Sequence, residues 1–338
     1  MTRQSDATWM WQGGFDKIPH LEDIPEIMAC RRVVVLEKIH GICWFAGFRP
    51  EDSEITYADR WQAHSETSPL GHIVKWFSGK MDWTSGIRSL AVQTGQPVVV
   101  IGEMFGNLIY GQPAENTYGT LIPYLDYGCD MDFRVHDLRI AGSAPDWSEI
   151  EAFIQKAGLP LAPKFYSGVP DLHVFESLLG KTVLVKNEPR GEGLVIRSDP
   201  LVKNKQGQYL IGKMKVGEYA EINSRTDHPL PVPTGAAPSE RLAIEYASQQ
   251  RISKAVARLI GNGNFTNTRE DLFALTDLVI EDIALEAPAA WHDAVAASTH
   301  DEAEVRKAIQ KMTKYWYEQA LRRKLLGKGK TERQAFRG

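Results

Sequence analysis

The hydrophobic positions between residues 31 and 216 predict a series of short strands with a few helices. Valine-rich residues 31–37 and the apolar segment Ile42–Phe48 flank Gly41, so these two strands have the shape of a hairpin. Five further strands are predicted by the same criteria, over Glu54–Ala58, Pro97–Phe105, Phe133–Ile140, Glu192–Ser198 and Tyr209–Val216. Apolar residues at helical spacing predict helices over residues 69–81, 147–157 and 172–179. Hairpin-like neighbours outnumber βαβ units, which indicates an α+β fold with antiparallel sheets.

The pattern changes after a proline cluster in residues 226–238. The cluster comprises Pro229, Pro231, Pro233 and Pro238. Proline fixes φ and removes a backbone donor, so this stretch is expected to be a linker. Beyond it only helical periodicity appears, over residues 239–261, 268–283, 288–297 and 301–326. We therefore predict a mixed domain over residues 1–228, a proline-rich linker over 229–238 and an all-helical domain over 239–338.

Composition places the chain among globular proteins. It has 338 residues, of which 43% are hydrophobic and 24% are charged. The three cysteines (Cys30, Cys43 and Cys129) form no C-x-x-C pair, so neither a disulfide framework nor a structural zinc is expected. The first residues lack the apolar core of a signal peptide, and no apolar run is long enough to span a bilayer. We therefore expect a soluble cytoplasmic protein with no membrane association.

The net charge of −4 argues at first against a nucleic-acid binder, which is usually basic. The charge is unevenly distributed, however. Residues 306–338 hold eleven basic and two acidic side chains, a net charge of +9, so the other residues together carry −13. The predicted helical domain thus ends in a basic tail that could contact phosphates. A solvated amphipathic helix or a protein-docking module is equally compatible with this pattern.

Lys38 is the residue most suggestive of chemistry, because it ends an apolar strand and is followed by Gly41. Burying a lysine costs free energy unless it is paired, and a neutral amine is a nucleophile. A K-x-x-G pattern also arises by chance in a chain of this length. A lysine that points to solvent is therefore the alternative that the spacing leaves open.

Further charged residues follow Lys38 in a characteristic order at the ends of predicted strands. They are Arg60 in YADR, Glu103 in GEMFG, His136 in FRVHDL, Glu192 in EGLVIR, and Lys213 and Lys215 in IGKMKV. Over about residues 30–217 this series resembles the covalent nucleotidyltransferase superfamily, which includes polynucleotide ligases and mRNA-capping guanylyltransferases. The form EKIHG, with His40 at its fourth position, is most similar to the RNA ligase 2-like family of ATP-dependent RNA ligases. That family also has a helical segment after its catalytic domain, where DNA ligases and capping enzymes have an OB-fold.

The resemblance implies a nucleotidyltransferase (ATP-grasp-like) domain of antiparallel sheets with flanking helices, followed by a small all-α domain. It also implies ATP, with Mg²⁺ or Mn²⁺, as the cofactors. Lys38 would attack the α-phosphate and become a lysyl-adenylate, while Glu192 would lie near the metal or the nucleophile. Lys213 and Lys215, two apart on one strand, would face the same side and hold the α-phosphate. The remaining nucleotide contacts would be Glu37, His40, Arg60, Glu103, His136 and Val195.

The expected partner is RNA, in the form of a nick in duplex RNA or in an RNA–DNA hybrid, and the oligomeric state stays open. Two positions depart from the family. Cys43 stands where an asparagine is usual, and thiols bind phosphate oxygens or metal-bound waters poorly. His136 replaces an aromatic ring that stacks on adenine. A DNA ligase, a capping-type guanylyltransferase and a non-catalytic RNA-binding protein with a degenerate ligase domain remain the alternatives.

Overall fold

The chain divides into two compact units in a computed structural model. The first holds the described residues up to Lys215 and the second holds those from Val216 onward. The structure describes residues 7–11, 17–109, 125–186, 190–221, 226, 229–266, 268, 270–298 and 301–335; the side chains of residues 218 and 319–335 lie outside this description. The assignment of residues 216–228 to the first domain, and the linker at 229–238, remain predictions.

Nine strands are found in the described part of the first unit. They are β1 (Val33–Lys38), β2 (Ile42–Phe48), β3 (Thr56–Asp59), β4 (Ala63–His64), β5 (Val98–Phe105), β6 (Asp132–Ile140), β7 (Lys164–Gly168), β8 (Gly193–Ser198) and β9 (Ile211–Lys215). One sheet has the order β7-β1-β8-β9 and the other has the order β4-β3-β2-β5-β6. Every pairing within the two sheets is antiparallel, which confirms the predicted class.

The predicted hairpin of β1 and β2 is wrong. β1 pairs with β7 and β8, whereas β2 pairs with β3 and β5, so the chain changes sheet between Lys38 and Ile42. The glycine of the connection is needed for close approach rather than for a hairpin turn. A Cβ on Gly41 would lie 2.0 Å from the carbonyl oxygen of Met104 on β5. The sequence pattern is the same for a hairpin turn and for a close approach to another strand, because each places one glycine between two apolar strands.

Each sheet forms an apolar cluster with residues that precede β1. The four-stranded sheet packs Val33, Val35 and Ile196 against Leu21 and Ile24 from the preceding segment. The five-stranded sheet forms a second cluster on Phe45, Ala58, Val99 and Ile101, with Trp9 and Met10 packed on it. Both clusters combine β-branched and aromatic residues, which suit the pleated surface of a sheet. The polar strand ends described below therefore belong to sheets with buried apolar clusters.

Four α-helices are found among the described residues of the first unit: α1 (Gly71–Ser78), α2 (Met81–Thr94), α3 (Trp147–Lys156) and α4 (Leu172–Leu178). Three of them confirm predicted helices. α2, β4 and β7 were not predicted from the sequence pattern. α2 contains Gly86, whose missing side chain admits the carbonyl oxygen of Ala157, where a Cβ would lie at 2.1 Å. Glycine lowers helix propensity, so tertiary packing rather than local preference accounts for this helix.

The described residues of the second unit form helices and no strands, as predicted. The helices are α5 (Pro238–Tyr246), α6 (Gln249–Gly261), α7 (Asp271–Glu286), α8 (Pro288–Ala297) and α9 (Glu302–Ala335). The single helix predicted over 239–261 is in fact two, because the first ends at Tyr246 and Ser248 caps the second by accepting from the N–H of Arg251. The unit has its own apolar core, to which α9 contributes Val305 and Ile309. Among the described helices, none combines the length and the apolar character that crossing a bilayer requires.

Candidate active site

The predicted nucleophile lies at the point where β1, β8 and β9 come together. Lys38, the last residue of β1, pairs with Gly193, and Gly193 pairs with Lys215 on the other side. Glu192 immediately precedes β8, so its carboxylate lies between the two lysines. Lys38 Nζ is 3.0 Å from Glu192 Oε2, and Lys215 Nζ is 2.7 Å from Oε1. Antiparallel register thus brings together three charged residues that the sequence separates widely.

Glu192 is the centre of this cluster. It is 2% exposed, and a third group, Nδ1 of His40, lies 3.4 Å from Oε2. Burial by itself raises the pKa of this carboxyl, but the ammonium groups of Lys215 and Lys38 and the hydrogen bond from His40 outweigh burial and hold the pKa well below its usual value. Glu192 is therefore ionised at neutral pH. A carboxylate held in this state orients a cation well and accepts a proton poorly.

Gly193 is the position at which this arrangement needs a glycine. Its φ is +154°, and a Cβ there would lie 2.0 Å from the carbonyl oxygen of Met214 on β9. Only glycine combines this backbone angle with so close an approach of β8 to β9. The residue therefore fixes both the direction of Glu192 and the place of Lys215.

Lys213 and Val195 lie one step further along the same strand pair. They are register partners on β9 and β8. The backbone N–H of Lys213 donates to the carbonyl of Pro19 at 2.9 Å, and its side chain is 5% exposed. Val195 is partly exposed. Since side chains two apart on a strand share a face, Lys213 and Lys215 project to the same side, as the sequence predicted.

The five-stranded sheet supplies the second part of the site. Cys43 on β2 is the direct register partner of Glu103 on β5. Burial raises the pKa of Glu103 to about 7, although Lys38 and Arg60 oppose that shift. The backbone N–H of Gly41 also donates to this carboxyl. Glu103 therefore belongs to the same electrostatic environment as Lys38, the predicted nucleophile.

His136 and Arg60 complete this second group. His136 is on β6, and burial lowers its pKa to about 4, so the imidazole is neutral at neutral pH. Arg60 follows β3 and forms a side-chain hydrogen bond with Cys43. Burial raises the pKa of the Cys43 thiol to about 12 despite that guanidinium, so this cysteine is not an activated nucleophile.

Glu37 is the predicted site residue that the structure places apart from the others. Consecutive side chains on a strand face opposite sides, so Glu37 and Lys38 diverge. The Glu37 carboxylate accepts hydrogen bonds from Thr182 Oγ1 and from the N–H of Val183 at 2.9 Å. Its side chain therefore anchors the loop that leads towards Glu192. A nucleotide contact by Glu37 stays a prediction.

Sequence reasoning missed several residues that support the site. Tyr127 is buried, and its hydroxyl accepts from the N–H of His40 at 2.8 Å, which fixes the connection after Lys38. Asp137 is 2% exposed and bonds Arg139 at 2.5 Å and Arg197 at 3.1 Å. Asp137 and Arg197 fall within the quoted FRVHDL and EGLVIR segments, but nothing in the pattern shows that they pair. No local signal marks Tyr127.

A model of the RNA ligase family matches residues 31–215, which is more than half of the chain. The chain belongs to the RNA ligase family. The matched range runs from just before β1 to the last residue of β9, so it contains every residue of the candidate site. The helices α5–α9 of this family member lie beyond it.

Solved structures of an RNA ligase from Naegleria gruberi are similar to this RNA ligase family member at low identity. One mutant with ATP and Mn is 15% identical, with a TM-score of 0.44, and the match covers 60% of this chain and 56% of that one. A second mutant with ATP and Mn is 16% identical, with a TM-score of 0.45 and the same coverage. The chain thus spans somewhat over half of the length of these ligases. A comparison with curated proteins finds no match.

Proposed function

We propose that the chain is an ATP-dependent RNA ligase that joins 3′-hydroxyl and 5′-phosphate ends through a covalent lysyl-AMP intermediate. The observation that carries the proposal is the contact of Lys38 with Glu192, with Lys215 on the other carboxylate oxygen. A lysine held in one orientation at a strand end, with a second cation beside it, suits attack on a phosphorus atom. Membership of the RNA ligase family supports the same reaction class.

In the proposed first step, Nζ of Lys38 attacks the α-phosphorus of ATP. A nitrogen–phosphorus bond forms, the bond between the α-phosphorus and its bridging oxygen breaks, pyrophosphate leaves, and the proton of the amine passes to solvent. Such transfers depend on positioning and on neutralising charge at the phosphoryl oxygens. We assign the neutralisation of phosphoryl charge to Lys213 and Lys215, and the positioning of Lys38 to Glu192. The AMP then passes to a 5′-phosphate, and attack by a 3′-hydroxyl forms the phosphodiester and releases AMP.

Glu192 is also the carboxylate that would hold a divalent ion. Mg²⁺ keeps most of its bound waters and prefers oxygen ligands. A carboxylate has about four lone-pair positions, and Lys38, Lys215 and His40 occupy three of them here. Glu192 thus fits a contact through metal-bound water better than direct multidentate ligation. The ion would neutralise phosphate charge during transfer.

Labelling with ATP radioactive at the α-phosphate tests the first step. The wild type should retain a covalent label in the presence of Mg²⁺, and Lys38→Ala should retain none. Lys205→Ala is the matched control, because Lys205 is an exposed lysine in the turn between β8 and β9. A label that survives in Lys38→Ala would show that the mechanism is wrong. Labelling by GTP instead of ATP would favour a capping-type enzyme, and RNA binding without any label would favour a non-catalytic protein.

The substrate is proposed to be a nick in duplex RNA or in an RNA–DNA hybrid. A panel of nicked duplexes and single-stranded ends, with ribose or deoxyribose at each terminus, tests this assignment. Preferential sealing of nicks in duplex RNA or in an RNA–DNA hybrid, over nicks in all-DNA duplexes, is expected. Equal sealing of all-DNA nicks would favour the DNA ligase alternative, and efficient joining of single-stranded ends would contradict the duplex assignment.

We further propose that a row of lysines on α9 contacts the phosphates of the RNA. Lys307, Lys311 and Lys314 are exposed, and their spacing of four and three places them on one helix face. The opposite face is anchored in the core through Val305 and Ile309. Replacing the three lysines with alanine should leave adenylylation unchanged but weaken nick sealing. The salt slope of RNA binding, which is the slope of the logarithm of the binding constant against the logarithm of the salt concentration, should fall in magnitude by about 3. An unchanged salt slope would show that this face does not contact RNA.

A further inference from the structure

Three side chains with metal-binding atoms converge on the five-stranded sheet. They are Cys43 on β2, Glu103 on β5 and His136 on β6. The cysteine sulfur, a carboxylate oxygen and an imidazole nitrogen all lie within 4.8 Å of one another. Each residue is partly buried, so the group is accessible to an ion but sheltered from bulk water. No other mixed group of this kind is found among the residues that the structure describes.

The register of the sheet brings these atoms together. Cys43 and Glu103 are directly paired on neighbouring strands, so their side chains lie side by side on one face. The pairing of β5 with β6 contains a bulge, in which Ile101 pairs with Asp137 and Gly102 pairs with Val135. His136 is the extra residue of that bulge. Bulges redirect a side chain, and this one lets His136 approach the Cys43–Glu103 pair.

The three ligand types in this group favour some metal ions over others. A thiolate, an imidazole and a carboxylate are the three ligand types that zinc takes in proteins, usually in a tetrahedral site. Magnesium prefers oxygen ligands alone, so it does not compete well for a site with sulfur and nitrogen. We propose that Cys43, Glu103 and His136 form a three-ligand site for a zinc-class transition-metal ion, with a fourth position open to water. This site is distinct from the oxygen-ligated ion expected near Glu192.

Binding of the metal ion changes the protonation state of Cys43. The thiol of Cys43 forms its sulfur–metal bond as the sulfur loses its proton to solvent, so this ligand releases one proton for each ion bound. Arg60 bonds the same sulfur and its positive charge favours the thiolate. No oxidant or reductant takes part.

The position of the metal site also bears on ATP binding, an inference that rests on the proposed function. Glu103 and His136 are among the residues expected to contact ATP, with His136 in the place of a ring that stacks on adenine. An ion that they hold with Cys43 would occupy part of the nucleoside position. Zinc and ATP should therefore exclude each other, and zinc should inhibit adenylylation while Mg²⁺ supports it.

Zinc titration of the full chain by calorimetry, in the absence of ATP, tests the site directly. One ion should bind per chain. Cys43→Ser should weaken binding at least about 100-fold, because loss of a direct ligand costs no less than loss of an outer-sphere partner. Cys30→Ser and Cys129→Ser are matched controls, since neither residue belongs to the group, and both should bind as the wild type does. His136→Gln provides a second variant if Cys43→Ser does not fold.

Cobalt(II) provides an independent spectroscopic measurement. The wild type should show the intense absorption of a thiolate–cobalt bond, and Cys43→Ser should lack it. The inference is overturned if the wild type binds no stoichiometric zinc, or if Cys43→Ser binds zinc as tightly as the wild type. The latter result would leave Cys43 as a packing residue at the edge of the apolar cluster around Phe45 and Ile101. A protein that binds zinc but never takes up an AMP label would contradict the proposed function and leave the metal site supported.

Discussion

Lys38 and Glu192, which are 154 residues apart in the sequence, share a hydrogen bond of 3.0 Å. The contact exists because β1 and β8 are neighbours in one sheet and Lys38 is the register partner of Gly193. The carboxylate lies one residue beyond that pair and reaches both Lys38 and Lys215. A single feature of sheet register therefore determines the orientation of the proposed nucleophile.

Replacing Glu192 with glutamine tests that role. The change keeps the shape of the side chain but removes the negative charge, so two ammonium groups lose their counter-ion. We expect the initial rate of adenylylation to fall by about 100-fold or more, in the range found when one preorganised electrostatic contact is removed. Glu176→Gln is the control, because Glu176 is exposed on α4, outside the site. An unchanged rate in Glu192→Gln would show that the carboxylate does not position Lys38.

Replacing Gly193 with alanine should disrupt the same geometry through the backbone. The new Cβ would combine a φ of +154° with a 2.0 Å contact to the Met214 carbonyl, so we expect a loss of about 3 kcal/mol or more in the free energy of unfolding. Gly207→Ala is the matched control. Its φ is +84° but a Cβ there meets nothing within 4 Å, so only about 1 kcal/mol should be lost. Urea unfolding measures both, and equal losses would contradict the proposed close approach of β8 and β9.

Replacing Asp137 with asparagine should destabilise the first unit strongly. Asp137 pairs with Arg139 and Arg197 while 2% exposed, and Arg197 also lies over the ring of Trp147 at 5.4 Å. Removing one partner of a buried ion pair typically costs about 3–5 kcal/mol. Asp132→Asn on the same strand is the control, because its ion pair with Arg134 is more exposed and should be worth at most about 1 kcal/mol. If urea unfolding gives similar losses for the two variants, burial does not account for the importance of Asp137.

Glu37 should contribute a pH dependence to stability. Burial raises its pKa above 4.5 even though Thr182 and Val183 donate to it. As the pH rises from about 4.5 through the folded pKa, the native state binds more protons than the unfolded state, so the free energy of unfolding falls. Glu37→Gln removes this effect, so the stability of the variant relative to the wild type should increase as the pH rises from about 4.5 through the folded pKa of Glu37. Urea unfolding at several pH values measures the difference, and a difference that does not vary with pH would contradict the assignment.

Much of the fold could be predicted from the sequence because its strands are strongly apolar and end at charged residues. β2 and α8 have the predicted bounds, and the antiparallel class is confirmed. The partners of β1 and β2 could not be predicted, since their apolar pattern is compatible with several neighbours. α2 was missed because its stability depends on packing around Gly86.

The identities of the residues proposed to be chemically active come from the sequence alone. Lys38, Glu192, Lys213 and Lys215 are recognisable from their motifs, and their alternation on a strand shows which of them share a face. Their contacts depend on the tertiary structure. Strand register pairs Lys38 with Gly193, which is distant in the chain. The bulge at His136 and the burial of Asp137 are not visible in the local sequence pattern. The physical reason is that residue type and local periodicity determine what a side chain can do and which way it faces, whereas strand register, bulges and burial decide which groups meet and how strongly their charges interact.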